Sequence, residues 1–348
     1  MTTQAKKRRW LFLRSAHRGP ERLEPPPIPT LDAETDIWCG LFARLVAADG
    51  GTGEIWKVGA RAAGGYAQAP GLTWRRDEDL LAAIDTAPDV IFGRGGYPEY
   101  IPLLQAWPSA VRIYYGAGQR WMPGAACDGA RYDLILVDTP LQRDQVRERY
   151  PEARVEVFHK PAAACFESAA HPAPARTHDV VFICNRAVEA KGCKWLAERL
   201  PAGTSVIRIG PPDPWFAEAA RSGRLEVRFT GPLTRRDIPA AARRARVGVV
   251  CDDGLHDSGP RVLAELLAMD LPVLIRGCVR VDHAAYVPAA GQTAPGVSLT
   301  AALAAMLADP AAYAPRAVYE ERFTLAAAAG RILTWIDGKE TSNGKSER

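Results

Sequence analysis

The sequence predicts an α/β protein built from two doubly wound parallel sheets. Short apolar runs alternate with helical patterns over almost the whole chain, and this alternation is typical of βα units. A length of 348 residues is long for one domain and suits two, and apolar residues make up 47% of the chain, enough for two cores. A stretch rich in Pro, Ala and His, residues 161–178, separates the two series of apolar runs.

The apolar runs are interpreted as strands because each is short and rich in branched or aromatic residues. They are Trp10–Leu13, Ile55–Val58, Val90–Phe92, Val111–Tyr115, Leu134–Val137 and Val155–Phe158 in the first half, and Val180–Cys184, Val206–Ile209, Val227–Thr230, Val247–Cys251 and Val273–Ile275 in the second. Ligands of open α/β sheets bind at the carboxyl ends of the strands, so we expect functional residues in the loops that follow these runs.

The composition of the chain and the breaks between its periodic segments predict its organisation. The expected parts are an N-terminal domain at residues 1–160, a linker at 161–178, a second domain at 179–315, a C-terminal helix at 316–336 and a disordered tail at 337–348. Alanine-rich tracts near the C-terminus favour helix, whereas the last residues are polar and lack an apolar face.

The charge and cysteine pattern excludes several classes of protein. The net charge of +4 is mild, and no interleaving of aromatic and basic residues suggests nucleic acid. Seven scattered cysteines without a Cys-x-x-Cys argue against disulfides and zinc. Without an export signal or a long apolar run, we expect a cytoplasmic protein. The basic run Lys6–Arg9 is either a solvated tail or a peripheral contact with the inner membrane face.

One segment late in the chain places two carboxylates, Asp257 and Glu265, eight residues apart. Pro260 occupies the position that proline favours at the start of a helix, after three residue types that cap helices well. The helix would carry Glu265 two turns from its tip. Because the N-terminus of a helix offers free N–H groups, this tip is suited to holding phosphate.

Two further segments lie upstream of it. Val181–Gly192 follows the first strand of the second domain and carries Arg186 and Lys191 five residues apart. Cations in a strand-to-helix loop are either ordinary surface residues or counter-charges for an anion. Val227–Ile238 has the pattern of a strand followed by a turn around Leu233.

Together these segments resemble the retaining GT-B glycosyltransferases of the group often called family 4. In that family a Glu-x7-Glu signature opens a helix, and a Gly-Arg-Leu-x-x-x-Lys-Gly run lies upstream of it. Glu265 matches the second Glu, whereas Asp257 stands where the first Glu belongs. Arg186 and Lys191 match the Arg and Lys of the upstream run with the same spacing.

The resemblance implies a GT-B fold, with two Rossmann-like doubly wound domains facing across a cleft, and a nucleotide-sugar donor held by the second domain. Arg186 and Lys191 would neutralise the diphosphate in place of a metal. Glu265 would bind the ribose hydroxyls, Asp257 the transferred sugar, and the main chain near Leu233 the nucleobase. The predicted catalytic residues are Asp257 and Glu265, and the predicted donor-binding residues are Arg186, Lys191, Gly192, Leu233, Ser258, Gly259, Pro260, Arg261, Val262 and Glu265.

Two glycine-containing loops of the first domain offer candidate contacts for the acceptor. Glycine lets the backbone approach a ligand closely. The side chains there that can donate hydrogen bonds are those of Arg94, Tyr97, Gln119 and Arg120. These loops are either an acceptor site or turns only.

Two acidic clusters allow a different chemistry. Asp77 and Asp79 form an Asp-x-Asp, a metal-binding pattern, but their place ahead of an apolar periodic run favours the first turn of a helix. Asp252, Asp253 and His256 could hold a metal, or their carboxylates could meet sugar hydroxyls. We take the second interpretation in each case and predict a reaction without metal or other cofactor.

The predicted protein is a retaining hexosyltransferase. It would move a sugar from a UDP- or GDP-linked donor to a hydroxyl of a glycan, a lipid-linked or a small-molecule acceptor. In a front-face mechanism the leaving phosphate takes the acceptor's proton, so no protein base is required. Two alternatives are a sugar-nucleotide epimerase of the same fold and a non-catalytic sugar-nucleotide-binding protein, which Asp257 in place of Glu leaves open.

Overall fold

The chain forms two compact units, and the C-terminal segment returns to the first. In a computed structural model, unit 1 consists of Met1–Phe158 with Leu325–Arg348, and unit 2 of His159–Thr324. The structure describes residues 7–15, 33–58, 64–69, 71–76, 86–95, 100–116, 128–167, 175–185, 189–251, 260–276, 291–293 and 299–343.

Unit 1 contains an eight-stranded sheet with the order β3-β4-β2-β1-β5-β6-β7-β8. Every neighbouring pair is parallel except β3 and β4, which form an antiparallel hairpin at one edge. The strands are β1 Arg9–Ser15, β2 Thr52–Val58, β3 Gly64–Ala69, β4 Leu72–Arg76, β5 Val90–Arg94, β6 Val111–Gly116, β7 Leu134–Val137 and β8 Val155–Val157. The helices are α1 Ile37–Asp49, α2 Ile101–Ala106, α3 Pro140–Arg149 and α11 Leu325–Asn343, with a 3₁₀ turn at Gly129–Arg131.

Unit 2 contains a six-stranded parallel sheet with the order β11-β10-β9-β12-β13-β14. Its strands are β9 His178–Ile183, β10 Ser205–Ile209, β11 Glu226–Gly231, β12 Ala245–Val250, β13 Val273–Ile275 and β14 Gly291–Thr293. Its helices are α4 Ala164–Glu167, α5 Cys193–Arg199, α6 Pro214–Arg221, α7 Ile238–Ala242, α8 Arg261–Ala268, α9 Leu299–Ala308 and α10 Pro315–Arg322, with 3₁₀ turns at Glu189–Lys191 and Pro310–Ala312.

The parallel strands of both sheets follow the same order. Counted within each unit, the order is third, second, first, fourth, fifth, sixth, which is the order of a dinucleotide-binding sheet, and unit 1 adds a seventh parallel strand, β8, after the sixth. The direction of the chain reverses between β1 and β5 in unit 1 and between β9 and β12 in unit 2. These reversals leave a crevice beside the carboxyl ends of the two central strands, and ligands bind there in this class of sheet. The predicted α/β class with two doubly wound sheets is confirmed.

Burial of apolar side chains explains where the helices pack. In unit 1, Phe12 of β1 stacks on Phe42 of α1, with ring centroids 4.0 Å apart. In unit 2, α8 buries Leu263, Leu266 and Leu267 completely, and these residues form one apolar face of the helix. Helix α8 therefore lies fixed against its sheet with its tip beside the carboxyl end of β12.

The C-terminus differs from its predicted organisation. The periodic pattern predicts one helix at 316–336, but the chain breaks at Phe323, which ends α10 within unit 2. Helix α11 then packs against α1 of unit 1 and continues to Asn343, into the predicted tail. Its buried residues recur at helical spacing: Leu325, Ala328, Ala329, Ile332 and Ile336. This apolar face explains why the second helix belongs to unit 1.

Part of the basic N-terminal run is used inside unit 1. Arg8 is 6% exposed, and its guanidinium lies 2.6 Å from Asp49 of α1 and also contacts Asp337 of α11. Arg9 pairs with Glu54 at 3.5 Å. Because these charges are neutralised internally, Arg8 and Arg9 do not form a solvated tail, which is one of the two predicted alternatives, while Lys7 is exposed. Contact of the run with a membrane stays a prediction. No helix in the described part of the chain is both long and apolar enough to cross a membrane.

Candidate functional site

A cleft of about 280 Å³ lies at the chain reversal of the unit 2 sheet. Its walls are the carboxyl ends of β9 and β12, the 3₁₀ turn before α5, the turn after β11 and the first two turns of α8. This is the place that the strand order predicts for a ligand. All three sequence segments singled out for unit 2 contribute residues to it.

The tip of α8 forms one wall. Pro260 is the N-cap residue, with an extended ψ of 121°, and the helix begins at Arg261. The sequence places Pro260 at the first helical position, so the helix starts one residue later than predicted. A proline side chain cannot accept a hydrogen bond, so Pro260 does not cap the N–H groups of Arg261 and Val262, whereas the N–H of Leu263 donates to the Pro260 carbonyl oxygen at 3.0 Å. Arg261 and Val262 line the cleft at this tip.

Gly192 brings the loop after β9 against the end of β12. It is the N-cap of α5 and has a left-handed φ of 75°, which costs little only for glycine. A Cβ atom at this position would lie 2.3 Å from the carbonyl oxygen of Cys251. The Lys-Gly pair of the motif therefore has a physical cause: the glycine permits the close approach, and Lys191 before it lines the cleft.

Glu265 points into the cleft from the second turn of α8. It is 6% exposed, and Oε1 accepts a hydrogen bond from Nη1 of Arg235 at 3.2 Å. A buried carboxylate requires such a partner. The sequence predicts the burial of Glu265, but it also predicts that ribose hydroxyls suffice without a cation. Arg235, which no sequence motif singles out, supplies a cationic partner, and the contact of Glu265 with ribose hydroxyls stays a prediction.

The turn after β11 provides the apolar side of the cleft. Leu233 and Ile238 line it together with Arg235. Leu233 lies where the sequence predicts the nucleobase contact. An apolar surface next to a buried carboxylate can hold the flat face of a base beside the hydroxyls of a ribose.

A buried ion pair behind the cleft was not predicted. Arg208 and Asp213 are both fully buried, with Nε 3.4 Å from Oδ2. Nη1 of Arg208 donates to the carbonyl oxygen of Cys184 at 3.1 Å, and Asp213 also caps α6. The pair thus fixes the carboxyl end of β9. An Arg in an otherwise apolar strand gives no sequence signal for burial, since its partner is identified only by the fold.

Two cysteines lie beside this pair. The Sγ atoms of Cys184 and Cys193 are 4.0 Å apart, and both side chains are buried. The hydrogen bond with Cys184, together with burial, raises the pKa of the Cys193 thiol. The Cys193 thiol is therefore neutral, and both cysteines pack in the core of unit 2.

The corresponding reversal in unit 1 is occupied by the protein's own side chains. Asp36 caps α1 by accepting from the N–H groups of Trp38 and Cys39, and Arg14 at the end of β1 pairs with it at 3.2 Å. Burial alone would raise the pKa of Asp36, but the Arg14 charge and the Cys39 N–H more than offset it, so the pKa lies below its usual value. Arg94, a predicted acceptor contact, ends β5 with its guanidinium 5.1 Å from the Trp38 ring centroid.

Several predicted site residues lie outside the described residues. These are Arg186, Asp257, Ser258, Gly259, Tyr97, Gln119 and Arg120, together with the acidic residues Asp77, Asp79, Asp252, Asp253 and His256. Within the described residues, no group of three or more His, Cys, Asp or Glu side chains could hold a metal ion. Independence of a metal stays a prediction.

The charge of the cleft favours an anion. Among its described lining residues, three are cations, Lys191, Arg235 and Arg261, and one is an acid, Glu265, which leaves a net charge of +2. The uncapped tip of α8 adds the partial positive charge of a helix N-terminus. The described part of the cleft can therefore hold a group that is anionic at one end and carries hydroxyls at the other.

Comparison with known proteins identifies the fold. No protein-family model matches the chain, and no curated protein matches its sequence significantly. The structure is similar to sucrose-phosphate synthase (tll1590) from Thermosynechococcus elongatus, with a TM-score of 0.64 and 14% identity over 97% of this chain and 100% of that one.

Two further solved structures agree. AviGT4, a glycosyltransferase involved in avilamycin A biosynthesis, has a TM-score of 0.59 and 16% identity, over 94% of this chain and 96% of that one. Anabaena Alr3699/HepE in complex with UDP and glucose has a TM-score of 0.57 and 13% identity, over 95% and 100%. The two Rossmann-like units of this chain therefore have the GT-B fold.

Proposed function

We propose that the protein is a glycosyltransferase that moves a sugar from a nucleotide-activated donor to an acceptor hydroxyl with retention of configuration. The observation that carries this function is the cleft at the chain reversal of unit 2. It combines a helix tip that Pro260 does not cap, a net positive charge among its described lining residues and a buried carboxylate within one small volume. These are the groups that a nucleoside diphosphate requires.

The diphosphate would be held at the α8 tip. The main-chain N–H groups of Ser258, Gly259, Arg261 and Val262 would donate to phosphate oxygens, and Lys191 with Arg186 would balance their charge. Negative charge grows on the leaving diphosphate as the glycosidic bond breaks. Fixed cations and dipoles aimed at that position stabilise the transition state more than the ground state, which is how such a site accelerates the reaction.

The nucleoside would occupy the other end. Glu265 would accept hydrogen bonds from the ribose hydroxyls, and the base would lie against the turn at Leu233. Asp257 would bind hydroxyls of the transferred sugar at the mouth of the cleft. The leaving phosphate would take the proton from the acceptor, so the residues of this chain position the substrates and stabilise charge, and none needs to act as a base.

The comparisons support a uridine-linked donor. HepE has been solved with UDP and with UDP-glucose, and the pneumococcal O-GlcNAc transferase GtfA, with a TM-score of 0.50 and 10% identity, with UDP and GlcNAc. We therefore propose a UDP-sugar ahead of a GDP-sugar. Arg94 would contact the acceptor, which is a glycan, a lipid-linked sugar or a small molecule.

The test is a turnover assay with a panel of UDP- and GDP-sugars and candidate acceptors. We expect a glycoside product whose anomeric configuration, read by NMR, matches that of the donor. An inverted product would remove the retaining mechanism. Epimerised nucleotide sugar without transfer would indicate an epimerase, and tight binding without turnover would indicate a binding protein.

Two variants divide the proposed roles. Glu265→Gln should weaken donor binding by about 1–3 kcal/mol, because a neutral amide replaces the acceptor of the ribose hydroxyls. Asp257→Asn should lower kcat with little effect on the affinity for the nucleoside diphosphate. Wild-type turnover in both variants would contradict the assignment of these carboxylates.

Metal independence has its own test. Because cations of the chain balance the diphosphate, transfer should continue after treatment with EDTA. Loss of activity with EDTA and recovery with magnesium or manganese would assign the charge stabilisation to a metal instead.

A further inference from the structure

Arg235 is the partner of Glu265, and neither the sequence motifs nor the fold assigns it a role. Its Nη1 lies 3.2 Å from Oε1 of Glu265, and both residues line the cleft. The Arg235 side chain is 27% exposed, whereas that of Glu265 is only 8% exposed. Both side chains therefore reach the cleft, and the guanidinium is paired with a carboxylate that is almost fully buried.

The contact joins two walls that are distant in sequence. Arg235 belongs to the turn after β11, two residues beyond Leu233, and Glu265 belongs to α8, thirty residues later. The main chain of the Arg235 turn is also contacted by the Sγ of Cys165, 3.9 Å from the Arg235 carbonyl oxygen. The guanidinium therefore extends from a supported turn and restrains the carboxylate of the neighbouring helix.

The two carboxylate oxygens of Glu265 have different surroundings. Oε1 is engaged by Arg235, and within the described part of the chain Oε2 makes no hydrogen bond. A carboxylate accepts through both oxygens, so Oε2 can receive a hydroxyl while the ion pair persists. The cation also offsets the cost of burying the charge, which would otherwise favour a rotation of Glu265 toward solvent.

We propose that Arg235 is the positioning residue for ribose recognition, a role that rests on the proposed function. It holds Glu265 with Oε2 toward the nucleoside and ties the ribose-binding helix to the base-binding turn. Its charge is compensated by Glu265, so it adds little to diphosphate binding. That task belongs to Lys191 and the α8 tip.

The test separates the ribose from the phosphates by calorimetric titration. UDP and GDP are titrated first, and the tighter ligand is then compared with its 2′-deoxy form and with inorganic diphosphate. Wild type should prefer the ribonucleotide over the deoxy form by about tenfold, the equivalent of one hydrogen bond. Arg235→Met should lose most of this preference and keep its affinity for inorganic diphosphate.

Three companion variants make the result specific. Arg236→Met, an exposed neighbour on the same turn, is the matched control and should behave like wild type. Arg235→Lys keeps the charge without the planar fork and should retain part of the preference. Arg235→Met combined with Glu265→Gln should bind the ribonucleotide no more weakly than Glu265→Gln alone, because the two residues act through one contact.

Each contrary result has one meaning. Equal losses for ribonucleotide, deoxynucleotide and inorganic diphosphate would make Arg235 a phosphate ligand and overturn the inference. An unchanged preference in Arg235→Met, additive losses in the double variant, or no preference in wild type would overturn it as well. If a urea titration shows that Arg235→Met does not fold, the Arg235→Lys variant provides the test. Wild-type affinities of Arg235→Lys for the ribonucleotide and the deoxynucleotide would contradict the positioning role. Wild type that binds neither UDP nor GDP would instead refute the proposed function.

Discussion

The two units share one strand order but treat the same position of that order in opposite ways. In unit 1 the helix after the first strand, α1, is capped by Asp36, and Arg14 neutralises the cap. In unit 2 the corresponding helix, α5, begins at Gly192, which offers no capping side chain. Unit 1 thus supplies an anion from its own chain, and unit 2 leaves its cations and its α8 tip facing a cleft.

The difference shows what the topology determines and what the residues determine. A doubly wound sheet creates a crevice at its chain reversal in either unit. The crevice binds an external anion only where the chain has not filled it with its own carboxylate. For this reason we propose that the donor binds to unit 2, although the strand order alone would allow either sheet.

The largest effect is expected from adding a side chain at Gly192, where the backbone lies close to Cys251. Gly192→Ala should lower the free energy of unfolding by about 3 kcal/mol. Roughly 1–2 kcal/mol comes from the left-handed backbone, and the rest from the Cβ that would lie 2.3 Å from the Cys251 oxygen. Donor binding should weaken with it, since the same loop carries Lys191. Urea unfolding and calorimetric titration measure the two effects.

Gly203→Ala is the matched control for this variant. Gly203 has a similar φ of 80°, but nothing lies within 4 Å of its added Cβ. It should therefore lose only the backbone part, roughly 1–2 kcal/mol, and keep donor affinity. Equal losses in the two variants would mean that the contact with Cys251 is not tight, and that the loop is not fixed as described.

The second effect is on the cleft charge. Lys191→Met should weaken the binding of a nucleoside diphosphate by about 2 kcal/mol, roughly 30-fold in Kd, and that of the nucleoside much less. Lys194→Met is the control, because Lys194 of α5 is 47% exposed and pairs at 3.3 Å with Glu189 of the 3₁₀ turn before it. If both variants bind diphosphate equally well, Lys191 is a surface residue and the contrast between the units loses its electrostatic basis.

The sequence predicts the central strands of both sheets because each leaves a local apolar signal. The predicted strands are all present, and two of them, Leu134–Val137 and Val273–Ile275, have the predicted bounds. Strands β3, β4 and β14 were not predicted. They consist of the segments GGYAQA, LTWRR and GQT, which lie near or at sheet edges and lack an apolar run.

The residues of the site likewise differ in whether a local sequence signal predicts them. Lys191 and Glu265, which belong to contiguous motifs, line one cleft, and Gly192 packs against Cys251 beside it. Pairs made by the fold could not be predicted, because Arg235 and Glu265 are thirty residues apart and Arg14 and Asp36 are twenty-two apart. Arg14 lies at the end of a strand, and no periodic pattern in the sequence identifies Asp36 as its partner.

The third prediction concerns the internal anion of unit 1. Asp36→Ser keeps a capping oxygen and removes the charge that pairs with Arg14, so it should cost about 1 kcal/mol at pH 7, and Asp36→Ala, which also loses the cap, about 2 kcal/mol. Because the folded pKa of Asp36 is lowered, its ionised form stabilises the fold above the unfolded pKa of about 3.9, and this contribution is lost as the pH falls through the folded value. The gap between wild type and Asp36→Ser should therefore close on acidification, as measured by urea unfolding from pH 7 to pH 3. A gap that stays constant would show that the Arg14 charge contributes nothing.

The smallest effect is expected at the C-terminal ends of α1 in unit 1 and α8 in unit 2. Helix α1 is followed by Gly50 with φ 69°, whereas α8 is followed by Asp270, which adopts a left-handed φ of 58° without being glycine. Asp270→Gly relieves this backbone, but it also removes an exposed hydrogen bond in which Oδ1 accepts from the Arg316 N–H at 3.3 Å. The balance should stabilise unit 2 by about 0.5 kcal/mol, and Gly50→Ala should destabilise unit 1 by about 1 kcal/mol, both measured by urea unfolding. A loss of stability in Asp270→Gly would mean that the bond to Arg316, which ties α10 to the end of α8, outweighs the strain. The side chain of Asp270 would then hold α8 in place, and glycine has no side chain to do so.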